Sequence, residues 1–214
     1  MKVAVAGGHG KVALILARLL RDRGDVAQAL IRDPHQAGDV RGAGGEPVVV
    51  DLERAGDDEI DAGLTDCDAV VFAAGAGAGS GPARKETVDY GSAVRLIESA
   101  RRGGISRYVM LSSVGADAER EGDEPFDVYL RAKGRADRDL TESGLDFTIV
   151  RPVTLTDRSG TGRISTGEDM EKEIPREDVA ETIAEVLRRD GLIGVTFTFG
   201  SGESSIGEAL DGLV

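Results

Sequence analysis

Two groups of residues in this chain have the types and spacing needed for chemistry. The first is Val3-Ala4-Val5-Ala6-Gly7-Gly8-His9-Gly10-Lys11-Val12-Ala13, a G-x-x-G-x-x-A pattern where an apolar run gives way to an amphipathic one. Glycines at such a turn let the backbone bend tightly and approach a pyrophosphate. The free N–H groups and dipole of the helix that begins at Lys11 favour its negative charge. Gly7, Gly8, His9, Gly10, Lys11 and Val12 are therefore candidates for dinucleotide binding, with His9 a loop residue rather than a base. The second group is Tyr129-Leu130-Arg131-Ala132-Lys133. One helical turn separates Tyr129 from Lys133, so both project from one face and the ammonium can stabilise a tyrosinate.

Two further positions bear on the nucleotide. Arg32, at the end of the second apolar run (Leu30-Ile31-Arg32-Asp33-Pro34), stands where the adenosine ribose is read. A guanidinium there suits a 2′-phosphate and points to NADP(H). Asp33 beside it leaves NAD(H) as the alternative, because a carboxylate accepts from the 2′-hydroxyl. Asp51-Leu52, beyond the third run, are placed to contact the adenine.

These residues need a scaffold, and the spacing of apolar runs supplies one. Runs at Lys2 to Ala6, Val26 to Ile31, Pro47 to Val50, Asp68 to Ala74, Arg107 to Leu111 and Asp146 to Val150 read as strands. Helical patterns lie between them at Lys11 to Arg23, Ala83 to Arg102 and Tyr129 to Ser143. This alternation predicts an α/β, doubly wound parallel sheet with helices on both faces. Beyond Pro152 the alternation breaks into a polar stretch, Thr154 to Gly167, followed by a helix at Arg176 to Arg189, a strand at Val195 to Phe199 and a short terminal helix. No linker appears, so residues 1–214 are expected to form one domain. Residues 152–214 are expected to contribute a small cap over the carboxyl ends of the strands, where ligands bind in open sheets.

Composition removes other classes. The 214 residues carry 26 Lys plus Arg against 39 Asp plus Glu, a formal charge of -13. That balance argues against nucleic acid and anionic membrane surfaces as partners. One Cys and two His cannot supply a Cys/His zinc site, so no metal is expected. No apolar run is long enough to cross a bilayer and no secretory signal is visible, which places the expected location in the cytoplasm.

Taken together, the glycine loop, Arg32, Asp51-Leu52 and Ala73-Ala74-Gly75 resemble the short-chain dehydrogenase/reductase superfamily. The nearest likeness is its atypical branch of NAD(P)H-binding, NmrA-like and epimerase/dehydratase-like proteins. Val88-Asp89-Tyr90-Gly91, Tyr108 to Ser113, Ile149-Val150-Arg151-Pro152 and Pro175 to Ala180 extend the resemblance over nearly the whole chain. It implies a Rossmann-type fold. It further implies that Tyr129 exchanges the substrate proton, Lys133 binds the nicotinamide ribose, and Ser113, with Ser112 beside it, holds the substrate oxygen. By the same resemblance Ala73, Ala74 and Gly75 border the cofactor, Pro152 lies near the nicotinamide, and Thr87, Val88 and Asp89 line the floor of the site. The family's central-helix Asn has no counterpart around Val88 to Ser92. The resulting expectation is an NADP(H)-dependent oxidoreductase acting on a small carbonyl, quinone or flavin-like molecule, as a monomer or as a homodimer formed through the two long helices. A non-catalytic NADP(H) sensor is the second reading and a nucleotide-sugar epimerase or dehydratase the third. Substrate identity is expected to come from Gly75 to Gly81, Gly115 to Val128 and Thr154 to Gly167.

Overall fold

The computed structural model describes residues 1–77 and 79–214; Ala78, inside the Gly75 to Gly81 tract, lies outside the described residues. The chain opens with β1 (Lys2–Ala6), α1 (Lys11–Asp22), β2 (Val26–Ile31), α2 (Ala37–Gly42), β3 (Glu46–Val49), α3 (Asp57–Ala62) and β4 (Ala69–Phe72). Next come α4 (Pro82–Arg84), a π-helical turn (Lys85–Gly91) and α5 (Ser92–Arg102), then β5 (Arg107–Leu111), α6 (Pro125–Thr141) and β6 (Asp146–Pro152). The remainder is β7 (Thr154–Thr156), β8 (Arg163–Ser165), β9 (Glu173–Pro175), α7 (Arg176–Val186), β10 (Val195–Ser201), β11 (Ser204–Ser205) and α8 (Ile206–Asp211).

Nine strands form one sheet in the order β11-β8-β10-β6-β5-β4-β1-β2-β3, and all pairings from β10 to β3 are parallel. The central strands are mostly apolar because both their faces are covered. Alternate residues go to opposite sides. Val3, Val5, Val71, Val109 and Val150 meet Leu16 and Leu20 of α1 and Val179 and Ile183 of α7. Ala4, Val70, Phe72, Met110 and Ile149 meet Leu96, Ile97 and Ala100 of α5 and Ala136 and Leu140 of α6. In α1, Val12, Leu16 and Leu20 recur every four residues and are buried, and each leucine contributes roughly 1.5–3 kcal/mol of apolar burial. The strand order reverses between β1 and β4. That reversal opens a crevice at their carboxyl ends, the usual ligand position in such sheets.

The structure differs from the sequence expectation in three places. The helix expected from Ala83 to Arg102 is interrupted by the π-helical turn, a feature that often accompanies functional sites. Helix α6 begins at Pro125 rather than Tyr129, since a proline at the first helical position forfeits no hydrogen bond. Helices α2 and α3 escaped notice because each has six residues and buries a single apolar side chain, Val40 or Ile60. Part of the segment after Pro152 extends the sheet. Strand β10 pairs in parallel with β6, β8 and β11 extend that edge in antiparallel fashion, and α7 packs against α1. Among the described residues, no helix is long and apolar enough to cross a membrane.

Candidate active site

At the β1–β4 reversal the glycine loop forms one wall of a cleft of about 260 Å³. Gly7 adopts φ +74°, and a Cβ there would lie 2.6 Å from the Ala74 Cα. At Gly8 a Cβ would lie 2.6 Å from that of Ala29. Both positions therefore require glycine, and the loop lies flat against β2 and the end of β4. The Gly8 N–H donates to the Leu30 carbonyl (3.0 Å) and the Gly10 N–H to that of Gly7 (2.7 Å). Gly10 precedes α1 in extended conformation and no side chain caps the helix, so its first-turn amides remain available to an anion. A loop held this close to β2 and β4, with uncapped helix amides beside it, fits the pyrophosphate of a dinucleotide.

Of the residues expected to bind the cofactor, Gly7, Gly8, His9, Gly10, Arg32, Asp51, Leu52, Ala73, Ala74 and Gly75 line this cleft. Lys11 and Val12 do not. The Lys11 ammonium turns away to Asp157 (2.5 Å), and the His9 imidazole pairs with Asp39 (2.8 Å) on the surface. At the ribose-reading end, Asp33 Oδ1 accepts from the His35 N–H (2.9 Å) and caps the turn at Pro34–Gln36. Arg32 is more than half exposed, with a guanidinium nitrogen 3.9 Å from Glu53 Oε2. Glu53 is held by Arg84 (2.7 Å) and by the Thr87 hydroxyl (2.7 Å). Sequence reasoning missed Glu53 and Arg84. Glu53 had a signal, as the residue directly after Asp51-Leu52; Arg84 had none.

Ala73, Ala74 and Gly75 also border a second cavity of about 730 Å³, lined further by Ser112, Tyr129 and Lys133. Lys133 is 3% exposed. Its ammonium donates to the carbonyls of Leu111 (2.9 Å) and Ala74 (3.5 Å) and lies 5.3 Å from the Phe72 ring centre. It thus ties together the ends of β4 and β5. The Tyr129 ring stacks on Phe126 (6.1 Å, 28°), and the cation against its face is Lys85, 5.2 Å from the centroid.

The two serines divide. Ser112 is buried and donates to Asp137 Oδ2 (2.7 Å), which also receives Arg151 (2.8 Å). Ser113, the expected holder of the substrate oxygen, donates to the Val114 carbonyl (3.2 Å) and does not line the cavity. Pro152 also lies outside both cavities, buried at the end of β6 with its carbonyl bonded to the Val114 N–H (3.0 Å). Of the three floor residues expected on the central helix, Asp89 reaches the second cavity, Val88 the first, and Thr87 is held by Glu53.

Asp89 and Lys85 project from the π-helical turn to the same cavity. Asp89 is fully buried; its Oδ2 accepts from the Ala76 N–H (3.3 Å), while Oδ1 has no partner among the described residues. Burial pushes its carboxyl above the ordinary range, against the opposing pull of Lys133, the Ala76 N–H and Lys85. Burial likewise raises Asp137, against Ser112 and Arg151. Lys85 was not singled out from the sequence. Its one signal was the four-residue spacing from Asp89.

The sequence matches the NAD(P)H-binding family over residues 7–190. The Bacillus subtilis protein named uncharacterized sugar epimerase YhfK is 35% identical over 212 residues, covering 98% of this chain and 99% of its own. Among solved structures, a Bacillus halodurans protein provisionally named an NAD-dependent epimerase/dehydratase has a TM-score of 0.91 at 35% identity, with 100% of both chains covered. The oxidoreductase ylbE from Lactococcus lactis has a TM-score of 0.86 at 28% identity, covering 100% of this chain and 96% of that one.

Proposed function

The chain belongs to the NAD(P)H-binding family, and from that premise we propose that it is an NADP(H)-dependent oxidoreductase acting on a small carbonyl, quinone or flavin-like substrate. One observation carries the reading. The strip Ala73 to Gly75 borders both the glycine-loop cleft and the cavity that holds Tyr129 and Lys133, so a dinucleotide site and a proton donor share a wall.

The nicotinamide, when bound, supplies or accepts hydride at its C4. The rest falls to the chain. The glycine loop and the start of α1 bind the pyrophosphate, and Arg32 receives the 2′-phosphate. Tyr129 gives its hydroxyl proton to the substrate oxygen as negative charge develops there. Lys133 has two of its three protons directed at the Leu111 and Ala74 carbonyls, so its role is to fix the ends of β4 and β5 and to present the remaining proton to the ribose. Ser112 commits its proton to Asp137 and can only accept from a ligand. With Ser113 outside the cavity, neither serine is placed to donate to an oxyanion. The name of the Lactococcus relative agrees with this reading; that of the Bacillus subtilis relative suggests epimerisation, which restores the cofactor after each cycle.

The test is calorimetric titration with NADPH, NADH and their oxidised forms, followed by a screen of aldehydes, ketones, quinones and flavins for net NADPH consumption. Tight NADPH binding, with turnover that Tyr129→Phe removes while affinity persists, is the expected result. Failure to bind any dinucleotide refutes the proposal. NADPH binding with no net oxidation of any substrate favours the sensor or the epimerase over the oxidoreductase.

A further inference from the structure

In a chain whose acidic residues outnumber its basic ones by 39 to 26, the second cavity has the opposite balance. Its charged lining residues are Lys85, Lys133 and Arg176 against Asp89 alone. Most arginines along the surface are paired with carboxylates, as Arg84 with Glu53, Arg135 with Glu86 and Arg151 with Asp137. The two cavity lysines are not: among the described residues neither has a carboxylate within ion-pair distance. Lys85 is 8% exposed, and its ammonium donates to the Gly77 carbonyl (3.0 Å) and rests against the face of Tyr129. Arg176 shares Asp157 with Lys11 (2.6 and 2.5 Å), so one carboxylate serves two cations. A nearly buried ammonium that has lost most of its water and is hydrogen-bonded to a carbonyl, with no carboxylate at ion-pair distance among the described residues, gains much from an anion.

We propose that this cavity selects a substrate carrying an anionic group, a carboxylate in the simplest case, and that Lys85 receives its charge with Arg176 as the second cation. The inference rests on the oxidoreductase reading only in treating the cavity as the substrate's. Neither serine offers a donor there, and Lys85 is a donor on the same wall as Tyr129. The stacked pair Phe126 and Tyr129 supplies an apolar platform for the body of the ligand; Phe126 is 63% exposed at the cavity wall. Asp89 does not cancel the positive charge, because it is one carboxylate against three cations and its Oδ2 is turned to the Ala76 N–H.

The experiment compares 2-naphthoate with the neutral isostere 2-naphthamide by calorimetry, with and without saturating NADPH, in the wild type, Lys85→Gln, Lys85→Arg and Arg176→Gln. NADPH affinity and circular dichroism of each variant report whether it is folded. Naphthoate should bind about ten-fold or more tightly than naphthamide, the scale of one charge-assisted contact. Lys85→Gln should abolish that preference, Lys85→Arg keep it, and Arg176→Gln reduce it. Equal binding of the two probes, no binding of naphthoate to the wild type, or a preference that survives Lys85→Gln in a folded protein overturns the proposal. If Lys85→Gln does not fold, the Arg176→Gln result decides, and an unchanged preference there overturns the proposal. Failure of NADPH to bind refutes the oxidoreductase reading by itself, since the probe preference is also measured without the cofactor.

Discussion

Asp89→Asn separates the charge of the buried carboxyl from its shape. Asp89 is fully buried, receives one long hydrogen bond from the Ala76 N–H and leaves Oδ1 without a partner among the described residues. Asparagine can present its carbonyl oxygen to Ala76 and leaves its amino group unpartnered where Oδ1 was. The orphaned position is common to both, so their difference reports the charge. The cations facing Asp89 are Lys133 from α6 and Lys85 from its own helical turn, and their attraction does not outweigh burial, because the carboxyl titrates above its ordinary value. A raised folded-state value means the fold favours the protonated form. That contribution is present in full below the unfolded value of about 4 and is lost as pH rises through the folded value. We therefore expect Asp89→Asn to be more stable than the wild type by about 1 kcal/mol at about pH 8. The gain should shrink towards zero below about pH 3, where both states of the wild type become neutral. Urea unfolding followed by circular dichroism across that range measures the difference. A variant less stable than the wild type at the upper end, or a difference independent of pH, would refute the reasoning; the lysines would then hold Asp89 as a net-favourable carboxylate.

The scaffold was legible in the sequence where burial alone dictates composition. Strands β1, β2 and β5 were placed at their observed limits because a parallel strand covered on both faces reads as a nearly continuous apolar run. The glycine loop was legible for a related reason: the close approach of Gly7 to Ala74 and of Gly8 to Ala29 excludes a Cβ, and so writes itself into the residue type. Side-chain direction leaves no such mark. Tyr129 and Lys133 share a helix face, yet the ammonium of Lys133 is drawn to the Leu111 and Ala74 carbonyls at the sheet end, and a lysine from another helix faces the tyrosine ring. The serine pair shows the same limit. Adjacent residues leaving a strand point to opposite sides, and nothing in Ser112-Ser113 says which side is the cavity. The π-helical turn carries no composition of its own, although it brings Lys85 and Asp89 to the site.

The remaining predictions test one packing and one specificity statement. Tyr108 is fully buried on β5 with a hydroxyl that lacks a partner among the described residues, and burial drives its titration far upward. Tyr108→Phe should therefore stabilise the protein by about 1 kcal/mol, seen as a higher urea midpoint at unchanged slope; a loss of stability would show that the hydroxyl has a partner. Arg32→Ala should weaken NADPH about ten- to a hundred-fold, the scale of a charge-assisted contact, and change NADH little. The arrangement around Glu53 gives the reason. That carboxylate is already satisfied by Arg84 at 2.7 Å and Thr87 at 2.7 Å, whereas Arg32 stands 3.9 Å away and is largely in solvent. Among the residues lining the ribose end, Arg32 is thus the guanidinium least committed within the protein, and a 2′-phosphate gains its charge without breaking a short pair. Asp33, the competing reader of a 2′-hydroxyl, is engaged with the His35 N–H. Calorimetric titration of both reduced dinucleotides decides the matter, and equal loss for the two would mean that Arg32 serves the turn rather than the phosphate.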